Sequence, residues 1–355
     1  MIRRWWAVGV PVGAALVLAV VWGRDVGALL ALDAAALILA VGAAVHHAEV
    51  VAHRVGEPFG TLILAVAVTV IEVGLIVMIM SSGGPGAGSL ARDTVFAAFI
   101  IVCNGVVGLC LLVGGVRHVV VEFRVEGVTA ALATLTALAT MALVLPTFTT
   151  SSPGPSFSPA QLAFAGTTSL VLYGVFVFGQ TVRHRDYFLP LGDCTEEEHA
   201  DPPSNRTALA SLGLLLLCLV AVVGLAKTAA PAIERAVAAI GAPHAAVGVT
   251  IALLVLLPET GAAVRAAARN RIQTSLNLAL GSALASIGLT VPSIAVASIW
   301  LPDKLILGLG PTEMVLFALT VVVTTLTVAP GRATLMQGTV HLAIFGSFLF
   351  LAVSP

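Results

Sequence analysis

The chain is short of charge. Only 10% of its 355 residues are Asp, Glu, Lys or Arg, against about 25% in an ordinary soluble domain. Hydrophobic residues make up 59%, and a water-soluble globule of this size could not hide that much apolar surface. A soluble domain and a disordered chain are excluded. Cysteine is scarce too: Cys103, Cys110 and Cys218 lie in apolar runs, Cys194 sits alone in a polar loop, and no Cys-x-x-Cys occurs. That excludes a disulfide scaffold, a zinc knuckle and a dithiol redox motif. The net charge of −1 offers no basic field, so nucleic acid is not a partner.

Enzyme signatures are missing as well. His47-Ala48-Glu49 breaks the His-Glu-x-x-His spacing, and no Gly-x-Ser-x-Gly elbow or nucleotide-binding P-loop occurs. The eight histidines form one cluster, where a membrane di-iron enzyme needs several. No cofactor is expected.

What the chain has is apolar runs. A helix needs about 20 mostly apolar residues to cross the hydrocarbon. Eleven runs qualify: 6–23, 28–45, 59–81, 93–115, 127–146, 159–182, 207–226, 244–264, 274–299, 312–328 and 333–353. Turn-forming stretches such as Ser151-Ser152-Pro153-Gly154-Pro155 separate them. The fold class is an all-α polytopic membrane protein. The first span follows Arg3-Arg4 and reads as a retained helix, not a cleaved leader.

With the N-terminus in the cytoplasm, twelve of the 17 Lys and Arg residues fall on the cytoplasmic side. This bias supports an odd number of spans, N-terminus inside and C-terminus outside, in the inner (plasma) membrane with lipid as surroundings. The longest polar stretch, 183–206, carries Glu196-Glu197-Glu198 and Asp201. It reads as an acidic cytoplasmic linker, solvated or acting as a cation lure. Residues 1–27 are then an extra helix, and 28–182 and 207–355 are two five-helix halves. Five is odd, so homologous halves would be inverted repeats, a plan of many secondary transporters.

Two acidic residues lie well inside spans. Glu72 sits mid-span in 59–81, and Glu259 sits within 244–264. A charge at the centre of a membrane helix costs about 2.5–3.5 kcal/mol on insertion scales. The two spans are the second helices of their halves and run in opposite directions, so the glutamates should meet near the midplane. Two carboxylates make a hard oxygen site for a cation such as Ca²⁺. When the cation leaves, adjacent anions in a low dielectric repel, and protons replace it. Such competition is the core of antiport. A passive cation channel with the same carboxylates as a selectivity ring is a second reading.

Supporting groups are expected nearby. Pro258 removes a backbone donor before Glu259. Asn104 and Ser282 could supply neutral oxygens, within small-residue stretches that also suit helix packing; Asn277 precedes Ser282 and Ser286 follows it. His46, Glu49 and His53 share a helical face. They read as a solvated helix extension, as a transition-metal site of a membrane metalloenzyme, or as a cytoplasmic access path. Gln180 and His341 read as interhelical hydrogen-bonding residues, and Glu313 as a complement to its helix dipole.

These features resemble the Ca²⁺/cation antiporter superfamily, and within it the cation/proton exchanger branch and ChaA-type bacterial sodium, potassium or calcium/proton antiporters. The likeness rests on Gly56-Glu57-Pro58-Phe59-Gly60 through Glu72 and the stretch around Asn104. In the second half it rests on Pro258-Glu259-Thr260-Gly261-Ala262, Arg269 to Gln273, and Asn277 to Pro292. The resemblance implies that Glu72 and Glu259 bind the transported cation and protons, with Ser282 and Asn104 as the paired small polar residues. The sequence departs from the calcium-dedicated pattern. Thr69 and Leu256 stand where Asn is usual, Ala285 where Gln is usual, and Thr260 where His often follows the second Glu. This thinner ligand set leaves room for Na⁺ or K⁺.

Overall fold

The computed structural model describes all residues except 1, 24–28, 57–58, 82, 84–85, 191–202, 240, 242 and 355, and the side chains of 2–4, 61, 234 and 238. Glu57-Pro58 and the acidic run Glu196 to Asp201 therefore lie outside the described residues.

Eleven long helices carry the described chain. They are α1 (Ile2–Val21), α2 (Leu30–Val55), α3 (Phe59–Ser81), α4 (Ala87–His118), α5 (Val125–Phe148), α6 (Pro159–Arg183), α7 (Asn205–Ala239), α8 (Ala245–Ala268), α9 (Ile272–Ala297), α10 (Pro311–Val328) and α11 (Leu335–Val353). In hydrocarbon no water can satisfy backbone groups, and a helix satisfies them within its own segment. Ten of the eleven are long and apolar enough to cross a membrane; α1 is apolar but its described apolar stretch is shorter.

Helix ends follow the polar punctuation with two exceptions. The apolar run 28–45 belongs to a helix that continues for ten more residues to Val55, because His46 to Arg54 are tolerated in a helix whose polar face has left the lipid. The run 207–226 belongs to a 35-residue helix that passes Lys227 and Pro231. Two interior stretches, Ile101–Val106 in α4 and Thr140–Val144 in α5, are π-helical turns.

Loops expected on the same side of the membrane are bonded to one another. The segment after α4 forms β1 (Val120–Glu122), which pairs antiparallel with β2 (Arg332–Thr334), the segment between α10 and α11. Arg124 donates from its side chain to the Leu189 carbonyl and from its backbone amide to Gln273 Oε1 at 2.7 Å, drawing in the α6–α7 and α8–α9 connections. At the other end Ile306 N bonds Gly88 O, Gly308 N bonds Pro155 O, and Lys304 Nζ reaches Pro153 O at 2.8 Å. This partition is the one that eleven alternating crossings require.

The break at Pro330-Gly331-Arg332 has a local cause. Gly331 takes φ +68°, a left-handed conformation suited to glycine. Thr334 then caps α11, and Gln337 reaches back to the Thr334 amide at 2.9 Å.

α4 and α9 are the most enclosed helices. α4 packs on α8 and α11, and α9 on α3, α5, α6 and α8. α6, α10 and α11 turn Phe164, Leu170, Val322, Leu326 and Phe350 outward, as lipid-facing helices do. The α4–α11 crossing depends on small residues: a Cβ on Gly338 would lie 2.8 Å from the Gly108 carbonyl oxygen and against the Leu112 amide. α2 and α7 form the most extensive helix pair in the chain.

Gly338→Val therefore forces side-chain atoms into backbone. At about 1–3 kcal/mol for overpacking, the detergent-purified variant should melt about 1–4 °C below the parent. Gly346→Ala, on the same helix with nothing within 4 Å of the new Cβ, should melt unchanged.

Candidate functional site

The site is built from α3, α8 and α9, with α2 alongside. Glu72 is 2% exposed on α3. The Ser286 hydroxyl of α9 stands 2.8 Å from both of its carboxylate oxygens. Thr290, one turn further along α9, also lies beside Glu72. Its buried hydroxyl interacts with that carboxylate, while the buried Oε2 of Glu259 has no hydrogen-bond partner among the described residues. Glu259 on α8 is within electrostatic reach of Glu72 and of Glu49 on α2, and Glu49 in turn is near Arg265. The two glutamates therefore do converge, as the opposed directions of their helices imply. The ion pair found among the described residues, Arg92–Asp93, involves neither of them.

The surroundings are graded. Glu72 and Ser286 are buried; Pro258, Glu259, Thr260, Gly281 and Ser282 are half-buried; Glu49 and Arg265 are exposed. Accessibility grows from Glu72 toward the end of the molecule that carries Arg265, Arg269 and Arg271. Pro258 lacks an N–H, so the Leu254 carbonyl one turn back has no helical donor and is free to act as an oxygen ligand. Buried carboxylates, two hydroxyls and a freed carbonyl make an all-oxygen donor set. Such a set suits hard cations.

Several expected site residues are elsewhere. Ser286, not Ser282, holds Glu72. The two serines share a face at i and i+4, but Ser282 lies one turn, about 5.4 Å, nearer the arginine-rich end. Asn104 is not at the site. Its place in the π-turn of α4 points it to α10 and α11, where its Nδ2 donates to Thr320 Oγ1 at 2.8 Å. The His341 ring completes this cluster, with Nδ1 donating to Asn104 Oδ1 and Thr327 Oγ1 donating to Nε2, both at 3.1 Å. All four side chains are buried and mutually satisfied, so His341 is the interhelical bonding residue its sequence position suggests. Asn277 is also remote. It donates to the Phe188 carbonyl at 2.7 Å and accepts from Gln273, latching the segment before the acidic linker. Thr69 is buried one turn from Glu72, with its hydroxyl donating to the Ala65 carbonyl.

The metal reading of His46, Glu49 and His53 does not hold. His46 stacks on Trp6 of α1 with ring centroids 4.9 Å apart, while Glu49 and His53 are exposed. Among the described residues no group of three or more His, Cys, Asp or Glu is gathered for a metal ion.

Two site-level features were missed in the sequence. Thr290 follows Ser286 at i+4, and the helical period alone could have found it. Asp33 is a further buried carboxyl, accepting from Thr228 Oγ1 at 2.9 Å and leaving Oδ2 unpartnered. It lies inside the apolar run 28–45, which was the available signal.

An all-helical, many-span fold with converging buried glutamates defines a secondary transporter of cations. Comparison with known proteins agrees: the model of the sodium/calcium exchanger protein family matches residues 26–182 and 210–354. The chain belongs to that family. It is similar to an ionic transporter by name, y4hA of Sinorhizobium fredii (strain NBRC 101917 / NGR234), with 50% identity across 96% of this chain and 93% of that protein. It is also similar to the sodium-potassium/proton antiporter ChaA of Escherichia coli (strain K12), at 34% identity over 94% of this chain and 93% of the other. Among solved structures it matches native YfkE with a TM-score of 0.75 at 16% identity, covering 100% of both chains. The protein is thus an exchanger-type cation antiporter of the membrane and not an enzyme.

Ser286→Ala removes the donor that holds Glu72. A hydrogen bond to a charged group contributes about 1.5–3 kcal/mol, so half-saturating cation concentration should rise at least about tenfold. Ser282→Ala should change it less than about twofold on the same scale. Cation-concentration curves for transport by both variants in liposomes check this.

Proposed function

We propose that the chain exchanges cytoplasmic cations for protons, with Glu72 and Glu259 as the carboxylates that both species share. Ca²⁺ is the first substrate, and Na⁺ or K⁺ use the same site. The observation that carries this reading is a convergent pair of membrane-buried glutamates with no salt-bridge partner among the described residues. Two carboxylates carry the charge that one divalent cation neutralises. The Thr290 hydroxyl beside Glu72 and the unpartnered Glu259 Oε2 supply further oxygens for it.

In this mechanism protons arriving from outside neutralise Glu72 and Glu259. The neutral pair crosses the low-dielectric barrier as the two five-helix halves, 28–182 and 207–355, rock against each other. Facing the cytoplasm, the carboxylates lose protons to an incoming cation, and the loaded site rocks back. The matching of the family model to two segments, 26–182 and 210–354, supports the two-halves reading. The N-terminus is cytoplasmic and the C-terminus outside. The arginine-rich end, toward which Glu259 is accessible, is then the cytoplasmic end. Exposed Glu49 lies on the path cations take to the site, with Arg265 as its local counter-charge.

A second reading, exchange of monovalent cations only, is favoured by Thr69 and Leu256 in place of Asn ligands. The 34% identical relative named a sodium-potassium/proton antiporter favours it too.

The test uses purified protein in liposomes with an imposed pH gradient and an internal pH dye. Ca²⁺, Na⁺ and K⁺ added separately should each collapse the gradient, and Glu72→Gln and Glu259→Gln should reduce every response to background. Collapse by Na⁺ and K⁺ alone would establish the monovalent reading. Near-parental exchange in both variants would sink the site assignment, and cation flux that no pH gradient can drive would establish a channel. Glu49→Gln should raise the half-saturating Ca²⁺ concentration several-fold with maximal rate retained.

A further inference from the structure

Away from the cation site, α1, α2 and α7 enclose a groove of about 730 Å³. Its walls are mainly apolar, with Val8 and Val12 from α1, Val50 from α2 and Leu214 from α7. Polar side chains break this surface at His46, His47, Thr207 and Ser211. His47 is 2% exposed. Its Nε2 lies 2.7 Å from the Ala7 carbonyl, to which it must donate, and its buried Nδ1 has no partner. An unpaired polar atom in such a place is destabilising. Among the described residues no carboxylate lines the groove.

The rim is basic. At the ends of α2 and α7, Arg54 Nε donates to Asn205 Oδ1 at 2.7 Å, and Arg206 is exposed one residue before Thr207. Trp5, 76% exposed, flanks the same end. Exposed Trp marks the level at which lipid headgroups meet hydrocarbon. An apolar channel that begins at this level, with guanidinium groups above it and an imidazole in its wall, is complementary to one chemistry: an acyl chain carrying an anionic phosphate.

We propose that this groove seats an anionic phospholipid. The phosphate lies beneath Arg54 and Arg206, and an acyl chain runs between Val8, Val12 and Val50. With Nε2 committed to Ala7, Nδ1 of the neutral His47 ring is an acceptor for a hydroxyl of the lipid headgroup. Exposed Thr207 and, one turn further along α7, buried Ser211 add hydroxyls to the same wall. The lipid would join α1 to the α2–α7 pair, the most extensively packed pair of the fold.

The experiment is native mass spectrometry of the full-length protein in mild detergent, titrated with phosphatidylglycerol and with phosphatidylcholine of identical chains. One phosphatidylglycerol should bind at least about tenfold more tightly than phosphatidylcholine. The preference should vanish in Arg54→Gln/Arg206→Gln. Ala210→Trp, which fills the groove, should abolish binding of both lipids at this site. His47→Leu should weaken phosphatidylglycerol alone. Equal affinity for the two lipids in the parent would overturn the proposal, as would unchanged preference in the arginine variant. The arginines are exposed, so that variant keeps the test open if a groove-filling variant does not fold.

Discussion

A carboxylate held inside a membrane must have either a proton or a cation, and the arrangement around Glu72 follows from that constraint. Burial removes water, and among the described residues no Lys or Arg salt bridge replaces it. Ser286 gives one hydroxyl to both oxygens, which is enough to orient the group and too little to stabilise an isolated charge in hydrocarbon. Glu259, in electrostatic contact, makes two simultaneous charges more costly still. In the proposed exchange, a site that cannot stay empty and charged is occupied by cation and by protons in turn.

Polar residues in the interior divide into two kinds. Asn104, His341, Thr320 and Thr327 satisfy one another and lock α4 to α10 and α11. Every donor in that cluster has its acceptor, so nothing there invites an ion. Around the glutamates the opposite holds. Glu259 Oε2 is buried without a partner among the described residues, and Pro258 frees a carbonyl. The unsatisfied set, not the satisfied one, is where an exchangeable ligand belongs. Asp33 stands between the two, with one oxygen bonded to Thr228 across the α2–α7 interface and the other free.

The graded exposure gives this chemistry a direction. Moving along α8 from Glu259 to Arg265, and across to Glu49, side chains pass from half-buried to exposed. The same gradient explains why α2 can remain helical beyond its apolar run. From His46 onward its polar residues face α1, the groove or the accessible side of the site. The accessible side of the glutamates and the apolar groove thus lie on two sides of one helix.

The eleven helices, the alternation of the loops and the presence of two glutamates inside apolar helices were legible in the sequence alone. Hydrocarbon imposes length and composition on any spanning helix, and a lone Glu in such a run is conspicuous against it. What the sequence left open depended on rotation and depth. One helical turn separates Ser282 from Ser286, and only the packing of α9 against α3 decides which of them meets Glu72. A π-turn re-aims Asn104 away from the site it was expected to share, and no residue pattern announces that turn. Asn277 and the His46, Glu49 and His53 face were placed by neighbours on distant helices: Phe188, Trp6 and Arg265. Composition and period determine which residues must leave water. The tertiary structure decides which polar groups they find there, because hydrogen bonds are fixed by distances of an ångström and helical periods by turns of five.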